Sequence, residues 1–207
     1  MPKIVDHALV RQELLAKAFD LFAEKGYGSL SMRELAKGLG VSMGSLYHYF
    51  PSKKDLFWQL MEHEVLQDVK SFMQDFDPQR GLIEQIEKGF ACMAEEEERS
   101  RKQVLLWMEF VQQQGREEVL QESQALKTLI ADSYRQIAAQ LGLDDLALMA
   151  FWDCLMVGIL MQRFVLGDIT TFAEQGQLLA RMLSAYLDQI RHDPNYQPIH
   201  PLSQPFL

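Results

Sequence analysis

The residues from Ser42 to Phe50 carry the side chains best suited to binding another molecule. The run reads Ser-Met-Gly-Ser-Leu-Tyr-His-Tyr-Phe, so hydroxyl groups and an imidazole fall close together. Such groups can hydrogen-bond to phosphate oxygens and to base edges, and a glycine lets a backbone approach closely. The run has no Arg, Lys, Asn or Gln, which make two hydrogen bonds to one base. It therefore suits duplex DNA, read largely through phosphates and DNA shape.

Two short helices must position this run. Ser31 followed by Glu34 is a capping box, which starts the first helix, and Gly40 ends it. Ser42 can cap the second helix, and Pro51 limits it to about eight residues. The two helices and the turn between them are the elements of a helix-turn-helix.

The spacing of small and apolar residues supports this interpretation. Ala36 is small where the second helix would cross, Gly40 supplies the turn, and Leu46 lies ten residues after Ala36 to fill the space between the helices. An ordinary helical hairpin would also fit the spacing.

The charge of the chain is divided unevenly. The net charge is −9, yet the residues through Trp58 carry eight Lys or Arg against six Asp or Glu, and the remainder carries twelve against twenty-three. The first part is therefore at +2 and the rest at −11. This asymmetry indicates that the N-terminal part meets a polyanion while the rest has another role.

Helical periodicity continues through the rest of the chain, without strand-like alternation. The sequence predicts an all-α fold with a three-helix helix-turn-helix head and a larger helical bundle for ligand binding and dimerisation, about nine helices in all. We expect the head at residues 1–55, a linking helix at about 53–73, the bundle at 56–191 and a Pro-rich, extended tail at 192–207.

Other classes of protein find little support. The longest apolar run, Cys154 to Met161, is shorter than the roughly 18 residues of a membrane span, and the start shows no secretory signal. The two cysteines suggest neither a disulfide framework nor a metal site, so we expect a cytoplasmic protein without metal or cofactor. Phosphate loops, zinc-protease motifs and nucleophile elbows are missing, which argues against an enzyme.

The stretch at residues 31–54 resembles the head of the TetR family of bacterial transcriptional regulators. The matching residues are Leu35, Ala36, Leu39, Gly40, Val41, Ser42, Leu46, Tyr47, Tyr49, Phe50, Ser52 and Lys53. The resemblance covers about fifty N-terminal residues, and the remainder matches only in helix count and order. It implies a homodimer, most often a repressor, that binds a palindromic operator on double-stranded DNA. It also implies release by a small effector bound in the bundle, which we expect to be lipophilic.

The candidate DNA-binding residues lie in and around the two short helices. They are Ser31, Arg33, Ser42, Met43, Gly44, Ser45, Tyr47, His48, Tyr49 and Lys53. Tyr47, Tyr49 and Lys53 are expected to contact phosphate, although the rings could pack in the head and the lysine could simply be solvated. Arg33 resembles an arginine that some family members direct at guanine, and it could equally contact phosphate or Glu34.

Aromatic and methionine residues of the bundle are candidates for a ligand pocket, and they would also serve an ordinary core. They are Phe90, Met93, Trp107, Met108, Val111, Tyr134, Phe151, Trp152, Asp153 and Met156. Asp153 in the most apolar helix needs a partner, because burying an unpaired charge is costly. A hydrogen bond to Trp107 or Tyr134, or exposure at a helix edge, would satisfy it. If it faces the pocket, a neutral or cationic effector is favoured.

The family resemblance places the dimer interface on the last two long helices, here about 144–166 and 170–191. Small residues recur every four positions at Ala150, Cys154 and Gly158, which would let helices approach closely. The last helix offers Leu179, Leu183, Tyr186 and Leu187. An alternative is a DNA-binding adaptor whose bundle binds a protein partner. A cavity of a few hundred cubic ångströms beside Trp107 and Trp152 would favour the effector-binding interpretation.

Overall fold

The computed structural model describes residues 6–74 and 76–204, and every regular element within them is an α-helix. The helices are α1 (His7–Lys25), α2 (Met32–Leu39), α3 (Met43–Tyr49), α4 (Lys53–Gln74), α5 (Leu82–Glu95), α6 (Glu97–Gln114), α7 (Arg116–Glu122), α8 (Gln124–Leu141), α9 (Leu146–Leu166) and α10 (Phe172–Arg191). The all-α prediction is confirmed. The sequence pattern missed α7, because its seven residues bury only Val119 and so show no apolar periodicity.

The chain forms two compact units. One comprises the residues up to Gln67 together with Lys102–Leu129, and the other comprises Asp68–Arg101 together with the residues from Ile130 onward. The first unit therefore contains α7 and most of α6, which the sequence-based division assigned to the bundle.

Aromatic rings form the core of the first unit. Phe22, Phe57 and Phe110 have no exposed surface. The rings of Phe57 and Phe110 stack with their centroids 4.3 Å apart, and Tyr27, in the turn after α1, places its ring 5.0 Å from Phe110. Each such side chain contributes about 1.5–3 kcal/mol when fully buried. Since Phe110 lies on α6, these contacts attach α6 to α4 and to the turn after α1.

In the second unit, α5 and α10 pack closely because of a glycine. A Cβ atom on Gly176 would lie 2.8 Å from the Cβ atom of Phe90, so a larger residue would force the helices apart. Leu179 and Leu183 continue the buried side of α10.

Arg163 on α9 forms an ion pair with Glu97, with Nε 2.7 Å from Oε1.

The segment after α10 is irregular and folds back onto the start of α9. The buried carboxylate of Asp145 caps α9 through the Ala147 N–H at 2.9 Å. It also accepts the N–H groups of Ile199 at 2.7 Å and His200 at 2.9 Å. Leu202 packs against the cluster that contains Leu146. Helix α9 therefore begins two residues after the predicted start near residue 144. Backbone hydrogen bonds from the Leu146 N–H to the His200 carbonyl and from the Leu202 N–H to the Asp144 carbonyl hold the tail against this start.

By length and composition alone, α9 is the one described helix that could cross a membrane. Its two charged side chains are both engaged within the second unit. Arg163 pairs with Glu97, and Asp153 accepts a hydrogen bond from Tyr134. Much of the remaining surface of α9 is apolar and exposed, including Phe151 and Val157.

The best-formed cavity of the second unit is small. It holds about 20 Å³, room for one or two water molecules. Its apolar walls come from α5, α8, the α8–α9 turn, α9 and α10, and the residues are Ile86, Leu141, Leu143, Leu148, Met149, Phe151, Trp152, Leu179 and Leu183.

Candidate nucleic-acid interface

The turn between α2 and α3 has the geometry that the sequence predicts. Gly40 adopts left-handed angles, φ 71° and ψ 27°. No atom lies within 4 Å of a Cβ built there, so backbone conformation rather than crowding selects glycine. The Val41 N–H donates to the Ala36 carbonyl at 3.0 Å, which closes the turn. Ala36 and Leu46 are both buried where the two helices meet.

Both serine caps are present. The Glu34 carboxylate accepts the Ser31 N–H at 2.8 Å and its hydroxyl at 2.7 Å, and the Ser31 oxygen accepts the Glu34 N–H at 3.3 Å. These hydrogen bonds lower the pKa of Glu34. The Ser42 oxygen accepts the Ser45 N–H at 3.0 Å. Ser31 and Ser42 thus fix the starts of the two helices.

One side of α3 is open to solvent. Met43 and Tyr47 are 37% and 48% exposed, and Gly44 and His48 are also exposed. A Cβ on Gly44 would meet only the Ser42 oxygen, at 4.0 Å, so packing within the chain does not require glycine there. These side chains and the half-buried Ser45 are available to a ligand that lies along α3.

Tyr49 lies in the interior, so its ring packs within the head, which is the alternative that the sequence left open beside a phosphate contact. It is 7% exposed, and its hydroxyl lies 3.0 Å from His7 Nδ1. Tyr49 follows Leu46 by three residues and therefore shares the buried side of the helix. The His7 ring also lies against His48, with centroids 5.8 Å apart. No pattern in the sequence indicates this cluster, because His7 precedes Tyr49 by 42 residues.

Lys53 is engaged within the chain, which leaves fewer of its three N–H donors for the predicted phosphate contact. The Nζ atom donates to the Tyr27 carbonyl at 2.9 Å and lies 4.2 Å from the centroid of the Tyr27 ring. Burial lowers the pKa of Lys53, and the nearby Glu109 carboxylate opposes this shift. The side chain joins α4 to the turn after α1.

Comparison with known families identifies this head. Residues 14–60 match the family model described as bacterial regulatory proteins, tetR family. The head of this chain is therefore of the TetR type. The match runs from α1 into α4 and so contains the helix-turn-helix. The resemblance predicted from residues 31–54 is confirmed.

Curated relatives match over part of the chain. The HTH-type transcriptional regulator AcrR of Shigella flexneri is 41% identical over 58 residues, 27% of each chain. The HTH-type transcriptional repressor KstR2 of Mycobacterium tuberculosis is 29% identical over 102 residues, 49% of this chain and 51% of that protein. The chain thus spans about a quarter to a half of the length of these relatives. Both are regulators, in agreement with the prediction of a non-enzymatic protein.

Solved structures extend the likeness to the whole fold. A TetR-family regulator from Streptomyces coelicolor aligns with a TM-score of 0.61 at 18% identity, over 91% of this chain and 85% of the other. Salmonella enterica GusR aligns with a TM-score of 0.59 at 20% identity, over 91% of this chain and 98% of the other. At these identities the comparison shows that the TetR-type helical fold continues beyond the head.

The residues predicted for a ligand pocket do not gather around one cavity. Trp107, Met108 and Val111 belong to the first unit. There Trp107 stacks on Phe110, with centroids 5.8 Å apart, and Met108 is 59% exposed. Helical spacing placed these residues together, but rings already fill the space beside Trp107.

The other predicted pocket residues lie in the second unit, and two of them line its cavity. These two are Phe151 and Trp152. Phe90 and Met156 are buried, and the Phe90 ring packs edge-on against Trp152 with centroids 4.9 Å apart. Met93 is half-buried elsewhere. The sequence allowed these residues to form either a ligand pocket or an ordinary helical core, and packing in a core accounts for their positions.

Asp153 pairs with Tyr134 and is absent from the walls of the cavity. The Tyr134 hydroxyl donates to its carboxylate, and the pKa of Tyr134 is raised by burial and by this neighbouring charge. Protein atoms around the carboxyl group raise the pKa of Asp153, although the side chain as a whole is exposed, so solvent weakens the effect. The structural hydrogen bond to Tyr134 is one of the expected alternatives. The preference for a neutral or cationic effector loses its basis.

The predicted interface residues divide between the two helices. On α9, Cys154 and Gly158 are exposed and Ala150 is half-buried. On α10, Leu179 and Leu183 are buried within their own chain, which corrects their assignment to an interface. Leu187 packs at the edge of the cluster that contains Leu146, and Tyr186 contacts Tyr196. The orientation of α10 about its own axis explains this difference. Its buried side faces α5, whereas Leu178 and Met182, each one position before a buried leucine, are exposed.

Proposed function

We propose that this chain is a DNA-binding transcriptional regulator that reads duplex DNA with α3. The main support for this proposal is that one side of α3 is exposed, next to the hydrogen-bonded turn between α2 and α3. The second helix of this motif enters the major groove in known complexes. Met43, Gly44, Tyr47 and His48 are exposed on it. The net charge of +2 through Trp58 favours a polyanion at this end of the chain.

Each exposed group has a chemically suited contact. The Tyr47 hydroxyl would donate to a phosphate oxygen, and Gly44 would allow the backbone to approach the groove. The Met43 side chain would meet a thymine methyl group, and His48 would make a single hydrogen bond to a base. Arg33, exposed in the first turn of α2, is the side chain able to bind guanine with two hydrogen bonds.

We propose further that two copies associate through apolar surfaces of α9 and α10. On α9 the exposed residues include Phe151, Val157 and Gly158, and on α10 they include Leu178 and Met182. Four helices from two copies would cover these side chains around a two-fold axis. Two heads could then read a palindrome with half-sites about 34 Å apart or a multiple of this distance.

Selection from a random duplex library tests the proposal. Purified full-length protein is incubated with random duplexes, bound DNA is recovered and sequenced, and affinity for the enriched duplex is measured by fluorescence anisotropy. We expect a palindromic site whose binding weakens steeply with salt. Failure to enrich any sequence would contradict DNA-specific regulation, and enrichment of a single half-site would contradict the dimer.

Two roles remain for the second unit. Release of DNA by a small lipophilic effector requires a site larger than the 20 Å³ cavity beside Trp152, so that cavity would have to open. Its small size favours the alternative, an adaptor whose second unit binds a protein. A lipophilic compound that raises the melting temperature and releases the selected duplex would support the effector role. Reporter transcription from a promoter bearing the selected site distinguishes repression, which we propose, from activation.

A further inference from the structure

Tyr27, in the turn between α1 and α2, is held by two other helices of the first unit. Its N–H donates to Glu109 Oε2 on α6 at 3.0 Å, and its carbonyl accepts from Lys53 Nζ on α4 at 2.9 Å. Its ring lies 4.9 Å from Phe57 and 5.0 Å from Phe110. Both polar groups of this peptide segment are therefore fixed from outside the helix-turn-helix.

Glu109 also forms hydrogen bonds beyond the one to Tyr27. Its second oxygen, Oε1, accepts the Gly28 N–H at 2.9 Å and the Gln113 side-chain amide at 2.9 Å. A Cβ on Gly28 would lie 2.2 Å from Gln113 Nε2, so the absence of a side chain at Gly28 is what admits Gln113. One carboxylate thus binds two successive N–H groups of the turn that leads into α2.

We propose that Glu109 is a positioning residue for DNA binding. By fixing the N–H groups of Tyr27 and Gly28, it sets the direction in which α2 leaves the turn, and thereby the direction in which α3 presents its exposed side. This inference rests on the proposed DNA-binding function. It assigns to α6 a role in operator affinity although Glu109 itself need not touch DNA.

The sign of the effect separates positioning from simple charge. Removing an acidic group from a DNA-binding protein should tighten binding to every duplex, because one repulsive charge is lost. Loss of a positioning contact should weaken binding to the preferred duplex and lower discrimination against others. Glu109→Gln keeps size and one acceptor oxygen, but it places an amide donor against a backbone donor.

The experiment compares Glu109→Gln with Glu117→Gln in the full-length chain. Glu117 lies on α7, is highly exposed and pairs with its neighbour Arg116, so this control removes the same charge. The probes are the duplex that the unaltered protein enriches from random sequence and a scrambled duplex of equal composition. For Glu109→Gln we expect about tenfold weaker binding to the enriched duplex, because losing one hydrogen bond to a charged group changes an equilibrium constant by about this factor. Binding to the scrambled duplex should change little.

Hydrogen exchange measured on the same proteins tests the contact directly. The Tyr27 and Gly28 amides should exchange faster in Glu109→Gln and at the original rate in Glu117→Gln. The positioning role would be overturned if Glu109→Gln left the ratio of affinities for the enriched and the scrambled duplex unchanged. It would also be overturned if affinity for both duplexes fell equally and the melting temperature fell as well. If the unaltered protein enriches no sequence, the proposed function itself fails, which is a separate and recognisable result.

Discussion

The buried carboxylate of Asp145 should control the stability of the second unit. It is 1% exposed and accepts three backbone N–H groups, from Ala147 at the start of α9 and from Ile199 and His200 beyond α10. A hydrogen bond to a charged group contributes about 1.5–3 kcal/mol. Asp145→Asn keeps the oxygen that faces Ala147 and His200 but turns an amide toward the Ile199 N–H. We expect it to lower the free energy of unfolding by about 1.5–3 kcal/mol.

Asp145→Ala removes all three acceptor contacts and should cost about 3–5 kcal/mol, less than three separate bonds because they share one carboxylate. Urea unfolding followed by circular dichroism measures both changes. Asp144→Asn is the matched control, since that side chain is exposed. Equal unfolding midpoints for Asp145→Asn and Asp144→Asn, together with unchanged exchange of the Ile199 amide, would refute the reasoning.

Three further predictions concern the interface, the head and the α9 carboxyl group. Met182→Glu should give folded monomers by sedimentation, because Met182 is 55% exposed, whereas Leu183→Glu should unfold the chain by burying an unpaired charge. A Met182→Glu protein that stays dimeric would place the interface elsewhere. In random-duplex selection, Arg33→Ala should relax preference at one base pair per half-site, while Tyr47→Phe should weaken all duplexes alike; an unchanged preference would reduce Arg33 to a surface charge. Because burial raises the pKa of Asp153, stability should fall as pH rises from the ordinary aspartate value through the raised one. Asp153→Asn should therefore raise the melting temperature at neutral pH, and a gain that persists unchanged in acid would contradict this.

Local signals were enough to predict the helix-turn-helix. A reciprocal cap at Ser31 and Glu34 and a left-handed Gly40 act within a few residues, so the sequence states them directly. The sequence could not decide whether Tyr49 packs or contacts phosphate, because a seven-residue helix gives few positions from which to judge its buried side. The contact between Lys53 and Tyr27 could not be predicted, since it depends on the path of the turn after α1.

Longer-range features were harder to foresee because apolar spacing does not say which surface a helix faces. Leu179 and Leu183 were predicted to be covered at a dimer interface, yet they are buried within their own chain, on a helix that packs on α5 through Gly176 and Phe90. Aromatic residues such as Trp107 were also recognised as packing residues. Whether they enclose a ligand or one another depends on contacts between segments far apart in sequence.

The first unit is built from two separate segments of the chain, and this affects the order in which the unit folds. During synthesis, α1 to α3 emerge well before Phe110, whose ring completes the cluster around Phe57 and Tyr27. Until α6 has left the ribosome, those rings have no cover on that side. A head excised at Gln67 would carry the same exposed rings, and its transplantation onto another protein should succeed only if Lys102–Leu129 travels with it. For this chain, the unit of modular exchange is therefore discontinuous.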